Sequence, residues 1–220
     1  MRTCCVSSPN SQFPTPNSQI VAKVILVLFG MLFFYPATGL SEVVDLTPIK
    51  DTFVFRKQPK NSYGRKSTIQ TRTYPTEGLV EFDLSSIPQG ADIISAELRL
   101  YTGSNRQFRP DPSTRVYGNL GPWDESTNWN TKPPRASFYE DSISVTTPNQ
   151  YYQWDVTGLV QDWVDGVEAN YGVTVRAEGG GWLFFRSRED STRPPILHVE
   201  YTTSSDQPPA LSLEANPASG

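Results

Sequence analysis

The chain is poor in the residues that most often carry chemistry. Of its 220 residues only two are cysteine, Cys4 and Cys5, and one is histidine, His198. A serine–histidine–acid triad therefore has a single imidazole to draw on, and a zinc site of cysteines and histidines has few ligands. Positive charge is also short. Nineteen basic residues face 23 acidic ones, a net charge of -4. That balance excludes a globally basic nucleic-acid binder and leaves only local patches. The apolar run Val24 to Tyr35 is twelve residues long, too brief to span a bilayer comfortably.

That run has another use. Arg2 and Lys23 precede it, and Pro36-Ala37-Thr38-Gly39 follows it. This is the layout of a signal peptide over residues 1–39, with Ala37 and Gly39 as the small residues before cleavage at Leu40. An uncleaved membrane anchor is the alternative. Cleavage removes both cysteines, and with them any disulfide framework or thiol chemistry. Lipoprotein attachment is not expected, because no cysteine stands at the cleavage point. Cleavage also removes Arg2 and Lys23 but no acid, leaving 17 basic and 23 acidic residues, a net charge of -6. The expected product is secreted or held at the cell surface, with neither nucleic acid nor membrane as partner.

Nineteen prolines, fifteen glycines and 12% aromatics suit many short strands joined by turns rather than a helical bundle. The length allows one sizeable core plus extras. Strand-like runs fall at 43–48, 51–57, 67–74, 78–84, 94–102, 114–118, 142–146, 151–156, 172–177, 182–187 and 196–202. Val80, Phe82 and Leu84 share a face, as do Ala96, Leu98 and Leu100, and Leu197, Val199 and Tyr201. Apolar faces of this kind need a second sheet to bury them. One helix is predicted over 157–165, capped by Thr157, striped by Leu159, Val160, Trp163 and Val164, and stopped by Gly166. The expected fold is all-β, an antiparallel, jelly-roll-like β-sandwich with one short helix.

Several stretches recur together in a known order. They are Asp51-Thr-Phe-Val54, Asn61-Ser-Tyr-Gly64, Phe82-Asp-Leu-Ser-Ser-Ile-Pro88, Ala96-Glu-Leu-Arg-Leu-Tyr101, Trp123-Asp-Glu-Ser-Thr-Asn-Trp129, and the run from Trp154 to Tyr201. This succession resembles the DNRLRE-type domain, a secreted β-sandwich module of microbial polysaccharide-degrading and cell-surface proteins, although the naming hexapeptide is absent. Some relatives are carbohydrate-binding modules, including alginate-binding ones. The resemblance implies a domain over 40–203 that binds polysaccharide. Residues 204–209 read as a linker. Residues 210–220 resemble the opening of a polycystic-kidney-disease-type immunoglobulin-like domain, which implies further C-terminal domains; a disordered tail is the other reading.

Acidic polysaccharides present a carboxylate on each sugar, which arginine and lysine meet with charge-assisted hydrogen bonds, while rings stack on tyrosine or tryptophan. Lys50 to Arg72 holds seven cations in 23 residues against Asp51 alone, a local positive field on an acidic protein. The candidate binding residues there are Lys57, Lys60, Arg65, Lys66, Arg72 and Tyr74, with Gln70, Arg72 and Tyr74 on one strand face. Arg99 and Tyr101 turn outward on a second strand, so the two pairs are expected to make one shallow sugar-binding face. Trp182 is either an exposed platform or a core cap. Arg186 and Arg188 face away from Phe185 together, able to grip a sugar carboxylate or to pair with Glu189 and Asp190. A solvated loop with acidic partners remains the bland alternative for the cationic stretch.

Trp129, Trp154 and Trp163 are expected in the core, and Trp123 with them as one option. His198 should point to solvent. Asp124-Glu125 is the most suggestive carboxylate pair for glycoside hydrolysis, but it sits in a landmark that reads as structural. No cofactor is implied, beyond a structural calcium for which Asp51, Asp83 and Asp155 are weak oxygen ligands without a calcium-loop motif. Three functions follow: a non-catalytic binding module, a structural or adhesive surface module, and a small polysaccharide lyase or hydrolase.

Overall fold

The computed structural model describes residues 41–203. Within them the alternating runs become strands β1 (Ser41–Leu46), β2 (Pro48–Phe55), β3 (Thr68–Arg72), β4 (Thr76–Phe82), β5 (Asp92–Tyr101), β6 (Asp111–Gly118), β7 (Asp141–Val145), β8 (Tyr151–Asp155), β9 (Val173–Ala177), β10 (Trp182–Arg186) and β11 (Ile196–Thr202), with helix α1 (Thr157–Val164) between β8 and β9. They pair antiparallel in two sheets. The smaller runs β1-β11-β5-β8; the larger runs β10-β3-β4-β9-β6-β7, with β2 also on β4. The expected all-β sandwich is what forms.

Register explains the packing. Leu98 stands between Leu197 and Trp154 in the smaller sheet, and Ala96 stands opposite Val199. In the larger sheet Val80 is aligned with Val173, and Gly78 with Phe53 and Val175. These rows meet as the main core, and each fully buried leucine or valine contributes roughly 1.5–3 kcal/mol. Trp154 ties the layers together. It is fully buried, its indole N–H donates to the Thr114 carbonyl at 2.9 Å, and its ring meets the edge of Phe185 at 5.8 Å.

Helix α1 lays Leu159, Val160, Trp163 and Val164 on the core, as its stripe requires. Gln161 pins it to β5, accepting from the Ile93 N–H and donating to the Ala91 carbonyl. Thr157 is not the cap. The capping position is Val156, which makes no side-chain cap bond. Asp155 instead accepts from the Thr157 N–H and hydroxyl at 2.9 and 2.6 Å, and the Thr157 hydroxyl accepts from the Ala96 N–H. Gly166, with φ of 72°, ends the helix as expected.

Strand β4 departs from one-sided alternation: all seven of its residues are buried. Val80 and Phe82 face the main core, which Leu84 joins from beyond the strand's end. Leu79, on the outer side, packs with Val54 and Trp123, with Trp129 alongside. The long segment between β6 and β7 has folded back over the sheet. Trp154 and Trp163 therefore fill the main core as expected, whereas Trp129 sits on the outer face and stays partly exposed.

Candidate functional site

Residues 56–67 join β2 to β3 and carry most of the cations. The segment is a chain of turns rather than a loose loop. The Gln58 N–H donates to the Phe55 carbonyl, Asn61 to Gln58, and Lys66 to Tyr63. Tyr63 stacks on Phe53 with ring centres 4.2 Å apart. Gly64 is needed for a close approach, because a Cβ there would lie 2.4 Å from the Cβ of Glu125. That contact docks the segment on residues 123–129, which bring Trp129 to its rim.

Arg72 and Trp182 are aligned in the β3–β10 register, and the guanidinium lies 4.7 Å from the indole centre. Tyr74 follows in the turn after β3 with φ of 26° and is about half exposed. Arg56 stacks over it at 4.6 Å, and Trp129 meets its edge at 6.4 Å. Lys132 covers Trp129 at 4.4 Å while pairing with Glu77. Arg56, Lys57, Arg72, Tyr74 and Pro75 line a shallow cleft of about 360 Å³. Among the described residues, Arg56, Lys57 and Arg72 pair with no carboxylate. A guanidinium that meets a ring and no carboxylate keeps N–H groups available, so the cleft can take a carboxylate beside a sugar face.

Of the cations expected from the sequence, Lys57 and Arg72 line this cleft. Lys60, Arg65 and Lys66 are exposed on the same segment, again without an ion pair among the described residues, and Arg65 lines a neighbouring recess with Ser62, Gly64, Glu125 and Ser126. Lys50 is different: it pairs with Glu81 at 3.0 Å and lies over Trp123. Trp182 stands on the outer side of β10, part-buried between Arg72 and Phe184, with its indole nitrogen enclosed. Arg56, Trp129 and Lys132 were missed. The signal for Trp129 was its Trp-x₅-Trp spacing within a polar, proline-rich segment, which reads equally well as core.

Other expected residues lie elsewhere. Tyr74 does not share the β3 face with Gln70 and Arg72, because the strand ends at Arg72. Arg99 and Tyr101 belong to the smaller sheet and so cannot join Arg72 on one face. Arg99 is held by Glu97 at 2.7 Å, and Tyr101 is only 7% exposed, beneath Arg193. Arg186 pairs with Asp190 at 3.3 Å. Arg188 pairs with Glu125 at 2.9 Å and Glu189 at 3.5 Å. Both arginines take the intramolecular alternative. His198 is only part exposed and bonds Asp45 at 2.6 Å, so it does not point freely to solvent.

The carboxylates are likewise engaged. Hydrogen bonds from Ser126 hold the Asp124 carboxyl below its usual range, and Glu125 is tied to Arg188. Asp83 binds the N–H and hydroxyl of Ser85, and Asp155 binds Thr157. Asp51 lies on the inner side of β2, 1% exposed, accepting from the Arg188 N–H at 2.7 Å. Burial pushes its carboxyl up to about 7, against the lowering effect of that N–H. Among the described residues no three histidine, cysteine, aspartate or glutamate side chains gather where they could hold a metal ion.

The profile of carbohydrate-binding module family 96 matches residues 42–201. The chain belongs to that family. The match runs from β1 into β11 and takes in the whole cleft. No curated protein matches the sequence. A module of this kind needs an exposed surface with anchored rings and hydrogen-bonding groups rather than a closed reaction centre. In this family 96 module the open cleft is walled by Arg56, Lys57, Arg72, Tyr74 and Pro75, with Trp129 and Trp182 in ring contact with Tyr74 and Arg72.

Proposed function

We propose that the module binds an acidic polysaccharide, alginate above others, through the basic and aromatic surface around Tyr74, and that it does so as a non-catalytic part of an exported protein. One observation carries the reading. Six cations of residues 56–72 (Arg56, Lys57, Lys60, Arg65, Lys66 and Arg72) have no carboxylate partner among the described residues, on a protein whose overall charge is negative. Lys50, Arg99, Arg186 and Arg188 all found acidic partners. Unpaired cations beside exposed rings suit a ligand that brings its own carboxylates.

The mechanism has two parts. The local field draws the polymer to an otherwise acidic protein. Tyr74, Trp129 and Trp182 then hold sugar faces, while the N–H edges of Arg56 and Arg72 take the uronate carboxylates. Native affinity electrophoresis of the chain in gels cast with alginate, pectin, xylan or no polymer tests this. Retardation by the uronate polymers that fades at raised salt is expected. Unchanged mobility in every gel would reject glycan binding for these polymers and favour a structural or adhesive surface role.

A further inference from the structure

The stacked arginine–tyrosine construction beside the cleft occurs a second time on the outer face of the larger sheet. Arg115 and Tyr117 point outward from β6. The Arg115 guanidinium lies 4.6 Å from the ring of Tyr139, and that of Arg135 lies 4.0 Å from the ring of Tyr117. The two tyrosines meet edge to face at 6.3 Å. Neither arginine makes an ion pair among the described residues. Tyr139 is 47% exposed, and Phe138 beside it is 84% exposed. Residues 135–140 run along the edge of β6, with the Ala136 and Glu140 N–H groups donating to Gly118 and Val116, so these rings sit on ordered backbone.

A continuous line of contacts links the two places. From Tyr74 it passes to Trp129, then Lys132 and Glu77. Arg176 follows at 3.4 Å from Glu77 and 3.3 Å from Glu178, and Tyr117 donates to Glu178 at 3.1 Å. Glu77 and Glu178 are matched by Lys132 and Arg176, so the middle of the line is neutral. Unpaired positive charge lies at its two ends. β4 and β6 are separated by β9 alone, a distance of about 10 Å across the strands.

We propose that Arg115, Arg135, Phe138 and Tyr139 form a second glycan platform, with Tyr117, 4% exposed beneath Arg135, as its support, and that one polymer chain crosses the strands to reach both. The inference rests on the acidic-glycan reading of the first cleft. Its ligand is a further uronate of the same chain: the rings take its apolar face and the guanidinium edges its carboxylate. Occupying the second platform is an intramolecular step once the first is filled, so it strengthens binding only when the chain is long enough.

The test is binding of short and long alginate oligosaccharides by calorimetry, for the unmodified module, a Phe138→Ala/Tyr139→Ala variant, and a Trp182→Ala variant. The expected result is that the 138/139 variant matches the unmodified module on short oligomers and binds long ones about tenfold more weakly. Trp182→Ala should weaken both. Arg135→Gln repeats the test with Phe138 and Tyr139 intact, and unchanged thermal midpoints confirm folding. If the 138/139 and Arg135 variants equal the unmodified module at every length, the second platform is wrong while the first cleft stands. If the unmodified module binds no oligomer, both readings fall.

Discussion

Each unpaired arginine of the cleft rests on its own ring, which decides what its removal should do. Arg72 touches Trp182 and no carboxylate, so Arg72→Ala removes a ligand contact without orphaning a buried partner. Binding of acidic polymer should weaken about tenfold, ~1.4 kcal/mol, with the thermal midpoint little changed. Arg99→Ala frees only Glu97, on the other sheet, and should leave binding as it was. Titration of polymer against the two variants separates them; equal losses would contradict the site. Asp51 is a different case, because its setting affects the fold. Its carboxyl is raised to about 7 in the folded chain from 3.8 in the open chain. Between those values the folded state holds the extra proton, so stability falls as pH rises from about 4 to about 7, by at most ~1.4 kcal/mol per unit. Asp51→Asn keeps an acceptor for the Arg188 N–H and cannot ionise. Urea midpoints near pH 5 and pH 8 should differ less in the variant than in the unmodified chain.

Elements reach the cleft by connections that local pattern does not reveal. Trp182 opens β10 after three glycines, and Asp111 at the start of β6 holds that turn. Its fully buried carboxylate accepts from the Gly179 and Gly181 N–H groups at 2.8 Å and from the Ser113 N–H and Thr114 hydroxyl. Asp111→Ala leaves those donors unpaired and should cost about 2–4 kcal/mol, read as a lower denaturation midpoint. At permissive temperature polymer affinity should also drop, because Trp182 loses its anchored turn. Affinity that survives in full would show that the turn does not position Trp182. The strand runs and the helix stripe were legible because alternation and the 3.6-residue period are local consequences of burial. The Thr157 cap was misread because its hydroxyl is taken by Asp155 and by the Ala96 N–H of β5, the second a contact that local pattern does not reveal.

At the scale of the whole molecule, the charges separate. The module is acidic overall, yet Arg56 and Arg72 stand without a carboxylate beside Tyr74 and Trp182, and Arg115 does so beside Tyr139. Binding driven by this field should weaken steeply with ionic strength, since the Debye length shrinks from about 10 Å at 0.1 M to about 3 Å at 1 M. Affinity measured from low salt to near molar salt should decline continuously for alginate. A salt-independent affinity would place the binding energy in ring stacking and make the cations incidental.

Local pattern determined the strands by alternation, the helix by its 3.6-residue stripe and the cation-rich segment 56–72 by composition, because each depends only on neighbours in sequence. Alternation says which side of a strand a residue takes, not which sheet the strand joins. Strand pairing therefore decided that Arg72 and Arg99 stand apart and that Lys50 meets Glu81, and tertiary packing brought Glu125 to Arg188 while leaving Arg56, Lys57 and Arg72 without a carboxylate. It also brought Trp129 from a distant segment to the rim of the cleft. A binding surface is made of residues far apart in sequence, and only tertiary packing fixes which of them are neighbours and which charges are already neutralised.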